Sequence, residues 1–263
     1  GQTPVTLGVQ AARMALERAG IRAEQVGWVI ASNDTPFDNV PNTATRIAKE
    51  LGIGSGPHCD INSACSSFAL HAQFLSGMVE NYLCDFVLCV QTGAYTTRTD
   101  YSAACTDGYI LGDGAAAQVF SKRHPGRLKV EPLIFGSMPS KADEIVLNMS
   151  GHFNQNGSAV RAFSIRKSCE MYEHIAEVKG LYAESVYTVS HQANLVMQHS
   201  IVGHLDLPLS RHLSNVKEQG NIAAAGCPSV LAQKIDSLKK GDQIVYAVLG
   251  AGLAWGGGYM EVN

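Results

Sequence analysis

Cys65 stands in SACSSF (63–68), between small residues, after a short apolar stretch and before a segment patterned as a helix. A thiol at a helix N-terminus feels the positive end of the macrodipole, an interaction worth about 0.3–2 kcal/mol. Cysteines so placed have pKa values of about 3.5–7.5 in place of about 8.5. That predicts a thiolate at neutral pH, a nucleophile suited to acyl transfer. Two later residues could serve it. His191 follows VYTVS directly, so a stiff strand would present its imidazole at a strand end. Asn221 lies between Gly220 and IAAAG, where small residues permit close backbone approach. Each has a plainer explanation. A cysteine in an apolar chain is usually a small buried hydrophobe, a histidine at a strand end is more often structural, and an asparagine after glycine is usually a turn residue. The case for chemistry rests on the three together.

Helices and strands must alternate to present them. Apolar spacing predicts a helix over 5–19 closed by Gly20, a buried strand over 26–32, and a helix over NTATRIAKELGI ended by Gly52. A short strand in GPHCDINSA leads to Cys65, and a helix runs from about 66 to 81. DFVLCVQTG is a continuous apolar strand; AAAQVFS and RLKVEPLIFGS read as paired strands of a hairpin around HPG. The second half repeats the pattern: a helix over about 162–179, the strand VYTVSHQA ending on His191, a helix from about 194 to 204, the turn GNIAAAG, a helix over about 228–238, the strand QIVYAVLGAGLAW with a glycine-rich break, and a last strand GGYMEVN. Fully apolar strands between helices argue for α/β architecture with covered sheets. In open α/β sheets, ligands sit at the carboxyl ends of strands. No Pro- or Ser-rich linker divides the chain, so two similar halves, 1–122 with the cysteine and 123–263 with the histidine and asparagine, are expected to pack as one body.

The bulk properties agree with an enzyme and exclude several alternatives. Of 263 residues, 46% are hydrophobic and 16% charged, which suits a close-packed globule. A net charge of −3 gives no footprint for nucleic acid or an anionic membrane. No apolar run approaches the roughly 20 residues of a membrane span, and no signal peptide is visible. Seven cysteines, an odd number without a CxxC pair, fit a reduced cytoplasmic protein better than a disulfide scaffold or a metal site. The order Cys, His, Asn with spacings of 126 and 30 residues also suggests a papain-like protease. The flanks of Cys65 and its position well inside the chain argue against that.

SACSSF, GDGAAA (112–117), HQAN (191–194), GNIAAAG (220–226) and GAGLAWGGGYMEV (250–262) resemble, in order, the motifs of ketoacyl-ACP synthase III and its relatives in the thiolase superfamily. The resemblance spans nearly the whole chain. It implies a thiolase-like layered αβαβα fold of two similar halves, the first incomplete at its N-terminus. It implies that Cys65 takes an acyl group from a thioester, and that His191 and Asn221 stabilise the enolate of a decarboxylating malonyl thioester. Backbone N–H groups of Cys65 and Ala251 match the family's oxyanion hole, Asn194 a position contacting the pantetheine arm, and Val40 a position reaching into the partner subunit's acyl pocket. Acyl-CoA and a malonyl thioester on CoA or carrier protein are the implied substrates, with no cofactor and no metal. A homodimer, or a pseudo-symmetric heterodimer, is the implied assembly, with DFVLCVQTG near its axis.

The departures are informative. About 50 family residues before VTLGVQAARMAL are absent, including its first strand and part of its CoA-binding loop. An arginine that grips the CoA nucleotide is replaced by Cys105. LVMQHSIVGHLDL has lost most of the basic face that docks an acidic carrier. Gly112 and Gly114 are expected to shape a turn around Asp113. These features suggest specialised fatty-acid or polyketide-type metabolism. Two other functions remain open: an acyltransferase moving the acyl group to O or N, and a weakly catalytic partner in a heterodimer.

Overall fold

In the computed structural model, which describes residues 1–77, 84–102, 109–149, 151–182 and 185–263, alternating side-chain parity along the strands builds the layers. The strands are β1 (Val26–Asn33), β2 (Cys59–Asp60), β3 (Phe86–Gly93), β4 (Gly114–Phe120), β5 (Leu128–Gly136), β6 (Ile145–Leu147), β7 (Phe153–Gln155), β8 (Tyr187–Ser190), β9 (His212–Leu213), β10 (Gln243–Gly250) and β11 (Ala254–Val262). The helices are α1 (Pro4–Ala19), α2 (Thr43–Leu51), α3 (Ser67–Gly77), α4 (Gly157–Lys179), α5 (Leu195–His204), α6 (Val216–Gln219) and α7 (Gly226–Lys234). One sheet has the order β2-β1-β3-β4 and the other β5-β11-β10-β8-β9. β1 runs parallel to β2 and β3, and β8 parallel to β9 and β10; β4 and β11 then pair antiparallel with β3 and β10. The halves therefore repeat one topology, with β5 as an additional strand beyond β11.

Along β10, Ile244, Tyr246 and Val248 join Phe68, Ala69, Cys227 and Val230 between the sheets, while Val245, Ala247 and Leu249 face Met171 and Ile175 of α4 and Ile201 of α5. Along β1, Val29 and Ala31 face α1 and α2, and Trp28 and Ile30 face the opposite side. The layers run α1/α2, first sheet, α3/α7, second sheet, α4/α5, the expected αβαβα stack. Gly20 and Gly52 end α1 and α2 in the left-handed conformation, as the sequence predicts.

One expectation fails. β4 and β5 are not a hairpin: β4 pairs with β3, and β5 with β11 in the other sheet. The HPG turn separates apolar strands on both sides of it, but residues 121–127 carry the chain between layers. The apolar run of β3 needs no assembly axis to account for its burial. β1 and β4 flank it in its own sheet and the side chains on its two faces join separate core clusters, so the fold itself buries it. The edge strand that leads to Cys65 is β2. The helix expected to end near 81 is described as far as Gly77, and Cys105 lies outside the described residues.

Candidate active site

The turn that carries Cys65 is held by short side chains, which is why the sequence there is so rich in serine. Ala64 takes a left-handed φ of 45°. Ser66 N–H donates to Ser63 O (3.0 Å) and Ser67 N–H to Ala64 O (3.0 Å). Ser63 N–H donates to Ser67 Oγ (2.9 Å), and Asn62 Oδ1 accepts from Ala64 N–H and Ser67 Oγ (both 3.1 Å). The result is a sharp bend from β2 into α3 that presents Cys65 at the helix N-terminus.

His191 follows β8 and donates its backbone N–H to Ala247 O (2.9 Å), which prolongs the parallel ladder by one residue. Its ring is buried, which lowers its pKa from 6.5 to about 4. The imidazole is therefore neutral at physiological pH, and Nδ1 has no hydrogen-bond partner among the described residues. Asn221 is fixed by the GDG segment. Gly112 N–H donates to Asn221 O (2.9 Å), and Thr96 holds both carboxylate oxygens of Asp113 (2.8 and 2.6 Å). A Cβ on Gly114 would come 2.9 Å from Ile222. Gly112 and Asp113 form no turn but link the Leu111–Asn221 bridge to the start of β4 at Gly114, and this link braces Asn221. Asn221 Oδ1 accepts from Ala223 N–H (2.9 Å), so its amide NH2 is the end left to donate to a ligand.

Cys65, His191, Asn221, Asn194 and Ala251 all line one cavity of about 460 Å³, a volume within the ordinary range for small-molecule sites. Asn194 also caps α5, accepting from Met197 N–H (2.8 Å), so its side chain has a structural task as well. Val40 is 82% exposed and does not line its own chain's cavity. A role in an acyl pocket needs a second copy.

The thiol contradicts the helix-terminus expectation. Burial, reinforced by the charge of Asp34, pushes Cys65 well above its ordinary pKa. Desolvation by the surrounding protein outweighs the macrodipole, although the sulfur is only partly buried on the cavity wall. Reading the sequence did not single out Asp34, Tyr95, Arg161 or the apolar wall of Ile145, Leu147, Met149 and Phe153 as lining the cavity. Asp34 had a signal, since it directly follows a strand just as His191 does.

Gly250, at the end of β10, packs against the turn that carries Cys65. An added Cβ would lie 2.7 Å from Ser63 O, 2.9 Å from Ser66 N and 3.0 Å from Cys65 N. These are backbone atoms and cannot rotate away. Gly250→Ala is expected to destabilise the fold by about 1–3 kcal/mol, the usual cost of overpacking, and to slow acylation of Cys65 more than the melting shift explains. Thermal melts beside loading rates check this; an unchanged loading rate would show that the contact does not set the thiol's position.

Residues 59–137 match the sequence profile of 3-oxoacyl-[acyl-carrier-protein (ACP)] synthase III, and residues 177–262 match that of its C-terminal part. The chain is 31% identical to β-ketoacyl-[acyl-carrier-protein] synthase III of Rubrobacter xylanophilus, over 97% of this chain and 82% of the relative. Its fold superposes on 3-oxoacyl-[acyl-carrier-protein] synthase III of Aquifex aeolicus with a TM-score of 0.91 at 23% identity, covering 99% of this chain and 85% of the other. The corresponding enzyme of Thermus thermophilus gives 0.89 at 25% identity, covering 100% and 85%.

Proposed function

This chain belongs to the 3-oxoacyl-[acyl-carrier-protein] synthase III family of acyltransferases and condensing enzymes, and from that premise we propose which residues carry the condensation and on what substrates. Cys65 attacks an acyl thioester and holds the acyl group as a thioester of its own. The backbone N–H groups of Cys65 and Ala251 receive the oxyanion of that transfer. A malonyl thioester then enters along Asn194 and loses CO₂. The N–H of neutral His191 and the amide of Asn221 hydrogen-bond the resulting enolate oxygen, and the enolate carbon attacks the acyl-cysteine carbonyl, breaking the acyl–Sγ bond and releasing the 3-oxoacyl thioester and the Cys65 thiolate.

One observation supports this most: a cysteine, a neutral histidine and an asparagine whose Oδ1 is engaged by Ala223 N–H, leaving its NH2 as the end to donate, converge on one cavity. Simple transfer of the acyl group to oxygen or nitrogen would need no enolate stabilisers. Intact-mass measurement after incubation with a panel of acyl-CoAs tests the first half-reaction, and release of CO₂ with formation of a 3-oxoacyl product after malonyl-CoA tests the second. Loading without any carbon–carbon bond formation would favour the transferase.

Specialised metabolism follows from the near absence of basic residues on α5, which carries His199 and His204 but neither lysine nor arginine. An acidic carrier protein would find little charge complement there. The proposed assembly is a homodimer or a pseudo-symmetric heterodimer in the cytoplasm. No helix among the described residues is long and apolar enough to cross a membrane.

In the homodimer, Val40 enters the partner's acyl pocket, and its small side chain leaves room for medium or longer chains. Each added methylene that finds apolar surface contributes about 0.8 kcal/mol. Decanoyl- and hexanoyl-CoA are therefore expected to load faster than acetyl-CoA, and Val40→Phe to reverse that order. Acetyl loading fastest in both proteins, or sedimentation as a monomer at micromolar concentration, would remove Val40 from chain-length selection.

A further inference from the structure

Asp34 brings a carboxyl group into the cavity that holds Cys65. It follows β1 at the same end of the sheet where β2 leads into the nucleophile's turn. Its Oδ1 accepts from Asn62 Nδ2 (2.7 Å), and its Oδ2 from the hydroxyl of buried Tyr95. Asn62 Oδ1 simultaneously holds Ala64 N–H and Ser67 Oγ, so one amide ties the carboxyl group to the turn that carries the thiol. Asp34 and Cys65 line the same cavity, and among its described lining residues Asp34 is the one carboxylic acid.

We propose that Asp34 is the acid–base residue of acyl loading: its carboxylate takes the proton of Cys65 Sγ during attack on the thioester and returns it to the departing thiolate. This rests on the reading of Cys65 as the acyl-accepting nucleophile. In the step, a bond forms between Sγ and the acyl carbon, and the bond from that carbon to the donor's sulfur breaks. The proton moves from Sγ to a carboxylate oxygen of Asp34 and then to the donor's sulfur. The products are acyl-Cys65 and free CoA thiol, and Asp34 ends as it began.

The surroundings favour this division of labour. Burial and the charge of Asp34 raise the thiol's pKa, so a base must take its proton. Burial also raises Asp34 from 3.8, against the lowering effect of its two hydrogen bonds, which brings it nearer the pH at which a general base is effective. His191, lowered to about 4, is a poor base, and as an enolate stabiliser it must remain a neutral donor. The groups facing Asp34 are Tyr95 after β3 and Asn62 and Cys65 after β2; His191 after β8 and Arg161 on α4 share the cavity. A partly buried carboxylate and thiol lining one cavity hold one negative charge more readily than two.

The test compares two reactions of the same sulfur. Asp34→Asn is expected to slow loading from acyl-CoA by about 10²–10⁴-fold, the usual range for general acid–base assistance. Alkylation of Cys65 by iodoacetamide is expected to stay within a few-fold or rise, because iodide leaves without a proton and a like charge has gone. Asp34→Ser, measured alongside, keeps an acceptor for Tyr95 but cannot shuttle the proton, and should behave likewise. Wild-type loading from a series of acyl thioesters should depend only weakly on the pKa of the leaving thiol. Unchanged loading in the variants, loading and alkylation falling together, or a steep leaving-group dependence in the wild type would each overturn the assignment. A wild type that is alkylated at Cys65 but accepts no acyl-CoA would overturn the nucleophile reading, and this inference with it.

Discussion

Cys65→Ala is expected to accept no acyl group and form no carbon–carbon bond, while still decarboxylating a malonyl thioester. Removing the nucleophile of a covalent mechanism costs on the order of 10⁶ in rate, the largest effect expected of any single substitution here. The retained decarboxylation is the informative part. His191 and Asn221 sit on elements of the second half, after β8 and in the turn braced by Gly112, and neither depends on the sulfur for its position. Intact mass after acyl-CoA and CO₂ release from malonyl-CoA read the two outcomes separately. Loss of both activities in a variant that melts normally would mean that the thiol itself takes part in enolate formation.

His191→Ala and Asn221→Ala are expected to show the converse: loading of Cys65 survives at least in part, and decarboxylation falls by about 10²–10³ for each oxyanion donor removed. Because burial holds His191 at about 4, wild-type decarboxylation should not lose its neutral donor as the pH falls from 8 to 5. The same burial affects stability. An unfolded histidine takes up its proton near pH 6.5, whereas folded His191 resists until about 4. The folded state then binds fewer protons in that window, so this residue's contribution to stability declines as the pH drops from about 6.5 to 4. His191→Ala should melt with a shallower pH dependence over that range. Normal condensation by Asn221→Ala would make acyl transfer to oxygen or nitrogen the better function.

Local signals made much of the molecule legible. Apolar spacing and terminal glycines give α1 and α2 nearly to the residue, because a helix is closed by contacts within its own turns. Continuous apolar runs give β1, β3 and β10, because both faces of each strand are buried. His191 and Asn221 could be read because each stands beside a strand end or a glycine turn, and Asn194 caps α5 as its position before an apolar helix suggests. The hairpin β6–β7 and the early start of α4 at Gly157 have weaker signals in three-residue strands and a polar first turn.

What only the tertiary structure decided is non-local. Whether β4 pairs with β5 or with β3 depends on which sheet offers an open partner, and no turn signal records that. The direction of the Cys65 shift depends on how much protein distant segments pack around the partly buried sulfur, and that desolvation opposes the local helix terminus. Asp34 is one more polar residue after a strand until Asn62 and Tyr95, 28 and 61 residues away in sequence, close on its two oxygens. Chemical character along the chain marks Cys65, His191 and Asn221 as candidates, but the protonation of the first two is set by desolvation, which belongs to the whole packed body.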